Sequence, residues 1–503
     1  MENLKEKTAR GIAWGAVNNG ATQVLNLLFG IVLARRLSEV DYGLVALLTI
    51  FTALAGCIQS AGFSQALANM KQPTRRDYNA VFWFNVLAGF SMYVILFFCA
   101  PLIAWFFKQP VLTDVSRVVF LTIPASALGI IPNAKLWIEL RNRELAVSAI
   151  ISLALSGGVG VWLAYHGYGY WSLVWQQLLF ISLSCIVKWL FSGWRPMLSF
   201  DFSPIRRMFG FSSKLLLTNI LTVISQNVQT FIFGKLLPIG VVGQFNQANK
   251  WNTMGSSLIT GTIQQVAQPV LTNVNDERER QERVFRKMLR FTAFVSFPLM
   301  LGLALVAEEF IVVTIKEKWL PCVPLLQMLC IGGAFLPLHA LYQNFIISRG
   351  RSDIYLFCIA LMIVLQITLT LSLASFGITA MVAAFAALNV VFTACWHFAL
   401  RRIHPLSTIA VLKDTLPFAL VATAVMVATH FITLLPFNPS TLQSFNPSTL
   451  QSFNPSILLL SRIVIAGLLY LLAMRLLHAT VLRECLQFIL KKNGRDNHHH
   501  TSL

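Results

Sequence analysis

Asn19, Thr22, Gln23 and Asn26 interrupt one apolar stretch of the sequence, and Asn219, Thr222, Gln226 and Gln229 interrupt another. Spacings of three, four and seven collect each set on one face of a helix. An amide in hydrocarbon is costly unless it finds a partner or water, so both faces must point inward. Two readings follow. The amides can bond across helices and hold them together, or they can line a hydrated cavity between two halves of the chain. The stripe recurs on corresponding helices of a repeat, and that recurrence favours the cavity. Lys250 is the sharpest single residue. It follows Gln244, Asn246, Gln247 and Asn249, precedes Trp251, and falls about two turns into its helix if that helix starts near Gly243. A lysine there needs water or an anion; the competing reading is a side chain that snorkels to the interface. Arg10 and Lys214 open the two stripe-bearing helices, and Lys135 ends another. Each is an ordinary basic flank by itself, and together they can form a basic vestibule. His339 and His397 sit in apolar segments and read as core residues. No acid falls deep in a span, so a carboxylate proton relay has no home.

These residues need a membrane-spanning scaffold. The chain has 503 residues, 56% hydrophobic and 12% charged, against about 25% charged in soluble domains. The formal charge of +19 is too thinly spread for nucleic acid to be the partner. Charge-free stretches near 11–34, 42–70, 78–107, 118–134, 145–187, 215–234, 251–275, 291–307, 319–348, 354–400 and 415–461 meet the length of a membrane helix. Three of them are long enough for two helices. They break at His166-Gly167-Tyr168-Gly169, near Phe376-Gly377, and across Pro436–Pro455. The result is an all-α polytopic membrane protein of about 14 transmembrane helices. With the N-terminus inside, 30 of the 39 Lys and Arg fall in cytoplasmic segments, which places both termini in the cytoplasm. Thr8-Ala9-Arg10 leads into a full-length span without a cleavage site, so the first segment reads as a helix rather than a signal peptide.

A shift of 200 residues lays Asn19, Thr22 and Asn26 on Asn219, Thr222 and Gln226, and lays Arg35, Leu37, Gly43 and Gln65 on Lys235, Leu237, Gly243 and Gln265. The repeat unit is six helices in one orientation, an architecture of transporters. The expected domains are a six-helix bundle over 1–208, a second over 209–403 with a cytoplasmic amphipathic linker at 276–290, and extra helices 13–14 over 404–503. The last region also carries a basic tail and an extracytoplasmic loop at 437–457 that repeats Phe-Asn-Pro-Ser-Thr-Leu-Gln-Ser. That charge-free loop reads as dispensable. The sequence lacks a Walker motif, a metal-spaced cluster and a long acid- and base-bearing outer loop, so the chain reads as no enzyme and implies no cofactor or metal.

The run Leu33-Ala-Arg-Arg-Leu-Ser-Glu-Val-Asp-Tyr-Gly-Leu-Val resembles the helix 1–2 junction of Wzx-type polysaccharide flippases. So do Gly62-Phe-Ser-Gln-Ala-Leu, Val81-Phe-Trp-Phe-Asn, Ala100-Pro-Leu-Ile-Ala-Trp-Phe-Phe, Gly169-Tyr-Trp-Ser-Leu-Val-Trp-Gln-Gln, Val242-Gly-Gln-Phe-Asn-Gln-Ala and Lys318-Trp-Leu-Pro-Cys-Val-Pro-Leu-Leu. The resemblance covers residues 1–430 and implies twelve core helices in two bundles plus two more. It also implies movement of undecaprenyl-pyrophosphate-linked oligosaccharide across the bacterial inner membrane for O-antigen, capsule or exopolysaccharide synthesis. Membrane lipids and polysaccharide polymerase machinery are the implied partners. The superfamily also holds peptidoglycan-precursor flippases and organic-cation antiporters. The missing intramembrane acids speak against cationic cargo. A pyrophosphate asks for Lys250, Lys214 and Arg10, while sugars ask for amides such as Gln247 and an aromatic face such as Trp251. The 437–457 repeat and the His498–His500 tract depart from the family.

Overall fold

The computed structural model describes residues 4–60, 62–70, 73–274, 277–434 and 454–477. Residues 437–453 of the loop repeat, and the His498–His500 tract, lie outside them. The described chain is helical throughout. In order, its long helices are α1 (Leu4–Arg36), α2 (Glu39–Ser60), α3 (Arg75–Phe107), α4 (Thr122–Ile138), α5 (Asn142–Tyr165), α6 (Trp171–Ser192) and α7 (Ser203–Leu236). They continue with α8 (Ile239–Asn273), α9 (Arg278–Leu305), α10 (Leu336–Ser348), α11 (Ser352–Ser372), α12 (Gly377–Arg401), α13 (Thr408–Leu434) and α14 (Pro455–Leu476). Short helices Leu112–Val119 and Val323–Gly333 lengthen the fourth and tenth spans. Among the described residues, 13 segments are long and apolar enough to cross a membrane. A helix, α8, stands where the fourteenth span was expected, but its row of amides keeps it outside these 13 segments.

The helix breaks follow local chemistry. Between α5 and α6 the chain turns through Gly167 and Gly169, with φ of 82° and 52°. Gly377 opens α12 at φ 83°. These are left-handed conformations that a side chain resists. At the head of α3, the Thr74 hydroxyl accepts from the Asp77 N–H while the Asp77 carboxylate accepts from the Thr74 N–H, which closes a capping box. Residues 278–290 do not form a separate surface helix: they are the charged first turns of α9, continuous with its apolar part. Likewise α8 starts at Ile239, not near Gly243, and this places Lys250 one further turn from the start of its helix than the sequence suggested.

Two units emerge by packing. The first comprises residues 1–247 with 366–370, and the second 248–365 with 371–503. This division differs from the sequence repeat because α7 packs along α2 inside the first unit. An aromatic cluster fills one end of that unit, with Phe82 edge-on to Trp83, Trp189 and Trp194. In the second unit, α9 packs against α13, and α13 against α14. Buried charges fasten these contacts. Asp414 of α13 accepts from Arg286 Nε at 2.6 Å and lies 3.5 Å from Arg290 Nε. Arg462 of α14 donates to Glu309 at 2.6 Å and also to the Thr433 hydroxyl at 3.1 Å. Glu309 stands just past a charge-free stretch, yet it is buried.

Candidate functional site

The amide stripes occupy a defined side of their helices. On α1, Asn19 and Asn26 are exposed, as are Val17, Val24 and Leu28. At about 100° per residue the apolar group stands roughly half a turn from the amides. α7 repeats the arrangement, with Leu217 exposed about half a turn from Asn219 and exposed Gln226. Each helix thus has one face suited to lipid and another suited to water. The hydroxyls of Thr22 and Thr222 turn back to Asn18 O at 2.6 Å and Thr218 O at 2.9 Å, so they satisfy themselves locally.

Gln229 is different. It is buried, and its Nε2 donates to the Thr370 hydroxyl at 3.3 Å while its Oε1 finds no partner. Gln366, one turn before Thr370, is also buried with an unpartnered Oε1. This polar pair in α11 escaped the sequence reading. Its signal was available, since Gln366 and Thr370 stand four apart in an apolar helix.

α8 concentrates the buried polar groups. Gln247 is completely buried in the first unit, and neither atom of its amide has a partner. In the second unit, Trp251 is buried edge-on against Phe310, 4.9 Å between centroids, with its indole N–H unpartnered. Asn252, not singled out from sequence, is buried with an unpartnered Oδ1. Unmatched buried groups are rare and costly, and four such atoms on six residues of one helix suit water or a polar ligand. Lys250 is half-buried, its Nζ 5.9 Å from the Trp251 ring centroid. Among the described residues no carboxylate pairs with it. Eleven positions separate it from the start of α8, about 16 Å along the axis. Arg10 and Lys214 lie in α1 and α7, and their side chains are outside the described residues.

The motif residues also meet. Asp41 Oδ2 accepts from the Ser38 N–H and hydroxyl at 2.7 Å, and its Oδ1 accepts from the Tyr170 N–H at 2.9 Å. One carboxylate therefore joins the α1–α2 turn to the Gly169-Tyr-Trp turn. Glu39 accepts from Gln244 Nε2 at 2.8 Å. Beside it, a Cβ on Gly43 would collide with the Ile239 carbonyl, and one on Gly243 with that of Glu39. The repeat-related glycines thus mark where the heads of α2 and α8 touch.

A family model described as polysaccharide biosynthesis protein matches residues 32–324. The chain belongs to this family. It is 25% identical over 362 residues to the lipopolysaccharide biosynthesis protein WzxC of Escherichia coli (strain K12), covering 70% of this chain and 72% of WzxC. It is also 25% identical over 336 residues to the succinoglycan biosynthesis transport protein ExoT of Rhizobium meliloti (strain 1021), covering 66% and 67%. Among solved structures, the lipid II flippase MurJ in an inward closed conformation superposes with a TM-score of 0.71 at 15% identity, over 93% of this chain and 99% of MurJ. That likeness establishes the fold. The chain is a multi-pass membrane protein of the Wzx-type polysaccharide transporters.

Proposed function

We propose that this protein moves undecaprenyl-pyrophosphate-linked oligosaccharide from the cytoplasmic to the periplasmic leaflet of the bacterial inner membrane by alternating access. Both termini are then cytoplasmic, and a polymerase working on the outer leaflet is the natural recipient. The observation that carries the reading is the polar run of α8: a lysine far from the helix end, flanked by buried amides and an indole without partners. Lys250, with Lys214 and Arg10, supplies positive charge for the pyrophosphate, whose attraction is stronger in a low-dielectric site than at a wet surface. Asn19, Asn26, Asn219, Gln226, Gln229 and Gln247 offer amides to sugar hydroxyls, and the Trp251 N–H offers a donor. No chemical bond changes, so the protein needs no catalytic residue.

The test uses purified protein in proteoliposomes with a pyrophosphate-linked oligosaccharide. Arrival of the glycan in the opposite leaflet is read by a membrane-impermeant glycosidase. Protein-dependent cleavage supports the proposal. Equal cleavage in protein-free liposomes overturns it, and transport of the lipid-linked disaccharide-pentapeptide in its place supports peptidoglycan-precursor flipping.

A further inference from the structure

The second unit holds a cavity of about 240 Å³ among α9, α10, α12 and α13. Its wall is almost wholly apolar, including Leu289, Phe297 and Val390. Phe398 of α12, with Leu412 and Leu416 of α13, both lines the cavity and is exposed. Around this mouth stand Val391, Ile409 and Leu420, all exposed. An apolar cavity with an apolar rim opens toward lipid, not toward water.

Its length and its ends are informative. The lining of α13 runs from Thr408 to Ala419, about 16 Å of helix, close to the roughly 15 Å of hydrocarbon in one leaflet. One end is polar. His397 Nε2 and the Thr408 hydroxyl lie 3.0 Å apart, and Arg401 Nη1 donates to the same hydroxyl at 3.2 Å. Arg401 and Arg402, at the end of α12, are exposed. Asp414 is already engaged by Arg286 and Arg290, which leaves Glu282, 3.6 Å from the His404 ring, as the acid nearby. The polar end therefore carries a surplus of positive charge.

We propose that this cleft binds one anionic bilayer phospholipid, with an acyl chain between α12 and α13 and its phosphate against Arg401 and Arg402. A slot one leaflet deep fits a single chain, and the cations favour a headgroup with net negative charge. The site belongs to the solvent lipid of the membrane and is independent of the transported cargo.

The experiment is mass spectrometry of lipids retained by the purified full-length protein after detergent washing, followed by rebinding from micelles that contain phosphatidylglycerol or phosphatidylcholine. Retention of phosphatidylglycerol, with a preference of about fivefold over phosphatidylcholine, is expected. Ala394→Phe places a ring at the exposed edge of the cavity and is expected to lower retention by about tenfold. Arg401→Gln with Arg402→Gln, both on the surface, is expected to erase the headgroup preference while the chain still binds. Equal binding of the two phospholipids by the wild type overturns the proposal. So does undiminished retention by a monodisperse Ala394→Phe protein, or a wild type whose Ala394→Phe-sensitive lipid is a polyprenyl lipid in place of phospholipid.

Discussion

Removing Arg462 should release α14 from its seat. The guanidinium donates to Glu309 at 2.6 Å, and the two side chains are only 8% and 9% exposed. Both ions have already lost their hydration, so deleting one strands the other. Breaking a buried pair from one side costs about 3–5 kcal/mol. Arg462→Met keeps much of the volume and leaves Glu309 charged among apolar neighbours. Its remaining hydrogen bonds, to the Thr433 hydroxyl and Leu305 O, are lost as well. Glu309→Leu should cost a similar amount by stranding the arginine. The double variant replaces both ions with apolar groups and should recover most of the loss, so that its cost falls well below the sum of the two single costs. The assay is reversible unfolding in mixed micelles of denaturing and mild detergent, read by tryptophan fluorescence, across the four-member cycle. An Arg462→Met cost below about 1 kcal/mol would place the pair in the class of wet surface bridges and refute the reasoning.

Gln247→Leu removes an amide with no partner and should leave stability unchanged or raise it. Transport should nevertheless fall about fivefold, the worth of one hydrogen bond to cargo; proteoliposome rates and unfolding midpoints measured together check this. Gly243→Ala places a methyl against the Glu39 carbonyl and should destabilise the contact between α2 and α8 by about 1–3 kcal/mol, whereas Gly240→Ala, whose nearest neighbour is the Glu39 carboxylate at 3.7 Å, serves as the tolerated control. His404, in the connection between α12 and α13, is held below its ordinary value of 6.5, first by burial and then by the Arg349 cation, against the pull of Glu282. The unfolded chain takes up that proton first. The contribution of His404 is therefore intact above pH 6.5 and is lost as pH falls through the lowered folded value; the wild type should lose stability between pH 7 and 5 more steeply than His404→Gln.

Much of the scaffold was legible because membrane helices announce themselves. A charge-free run can satisfy its backbone in lipid only as a helix, and the glycines at 167, 169 and 377 punctuate where expected. The internal repeat aligned Gly43 with Gly243 as equivalent positions; that their helices touch there, where neither backbone tolerates a side chain, came only from the structure. The limits of α8 did not surface. Its polar first turns precede the charge-free stretch at 251–275, and so Lys250 seemed nearer the helix end than it is. The stripes were visible as periodicity, but not their different fates: Asn26 and Gln226 stand exposed while Gln229 bonds to Thr370. That depends on α11, distant in sequence. The pairing of Glu309 with Arg462 was hidden for the same reason, with 153 residues between the partners.

The most direct test of the transport account is charge reversal at Lys250 in proteoliposomes carrying pyrophosphate-linked oligosaccharide, with protein levels matched. Lys250→Arg should retain part of the wild-type rate, Lys250→Ala should lower it, and Lys250→Glu should be slowest, because it sets like charge against the phosphates. Transport by Lys250→Glu at the wild-type rate would contradict a role for this lysine in holding the cargo.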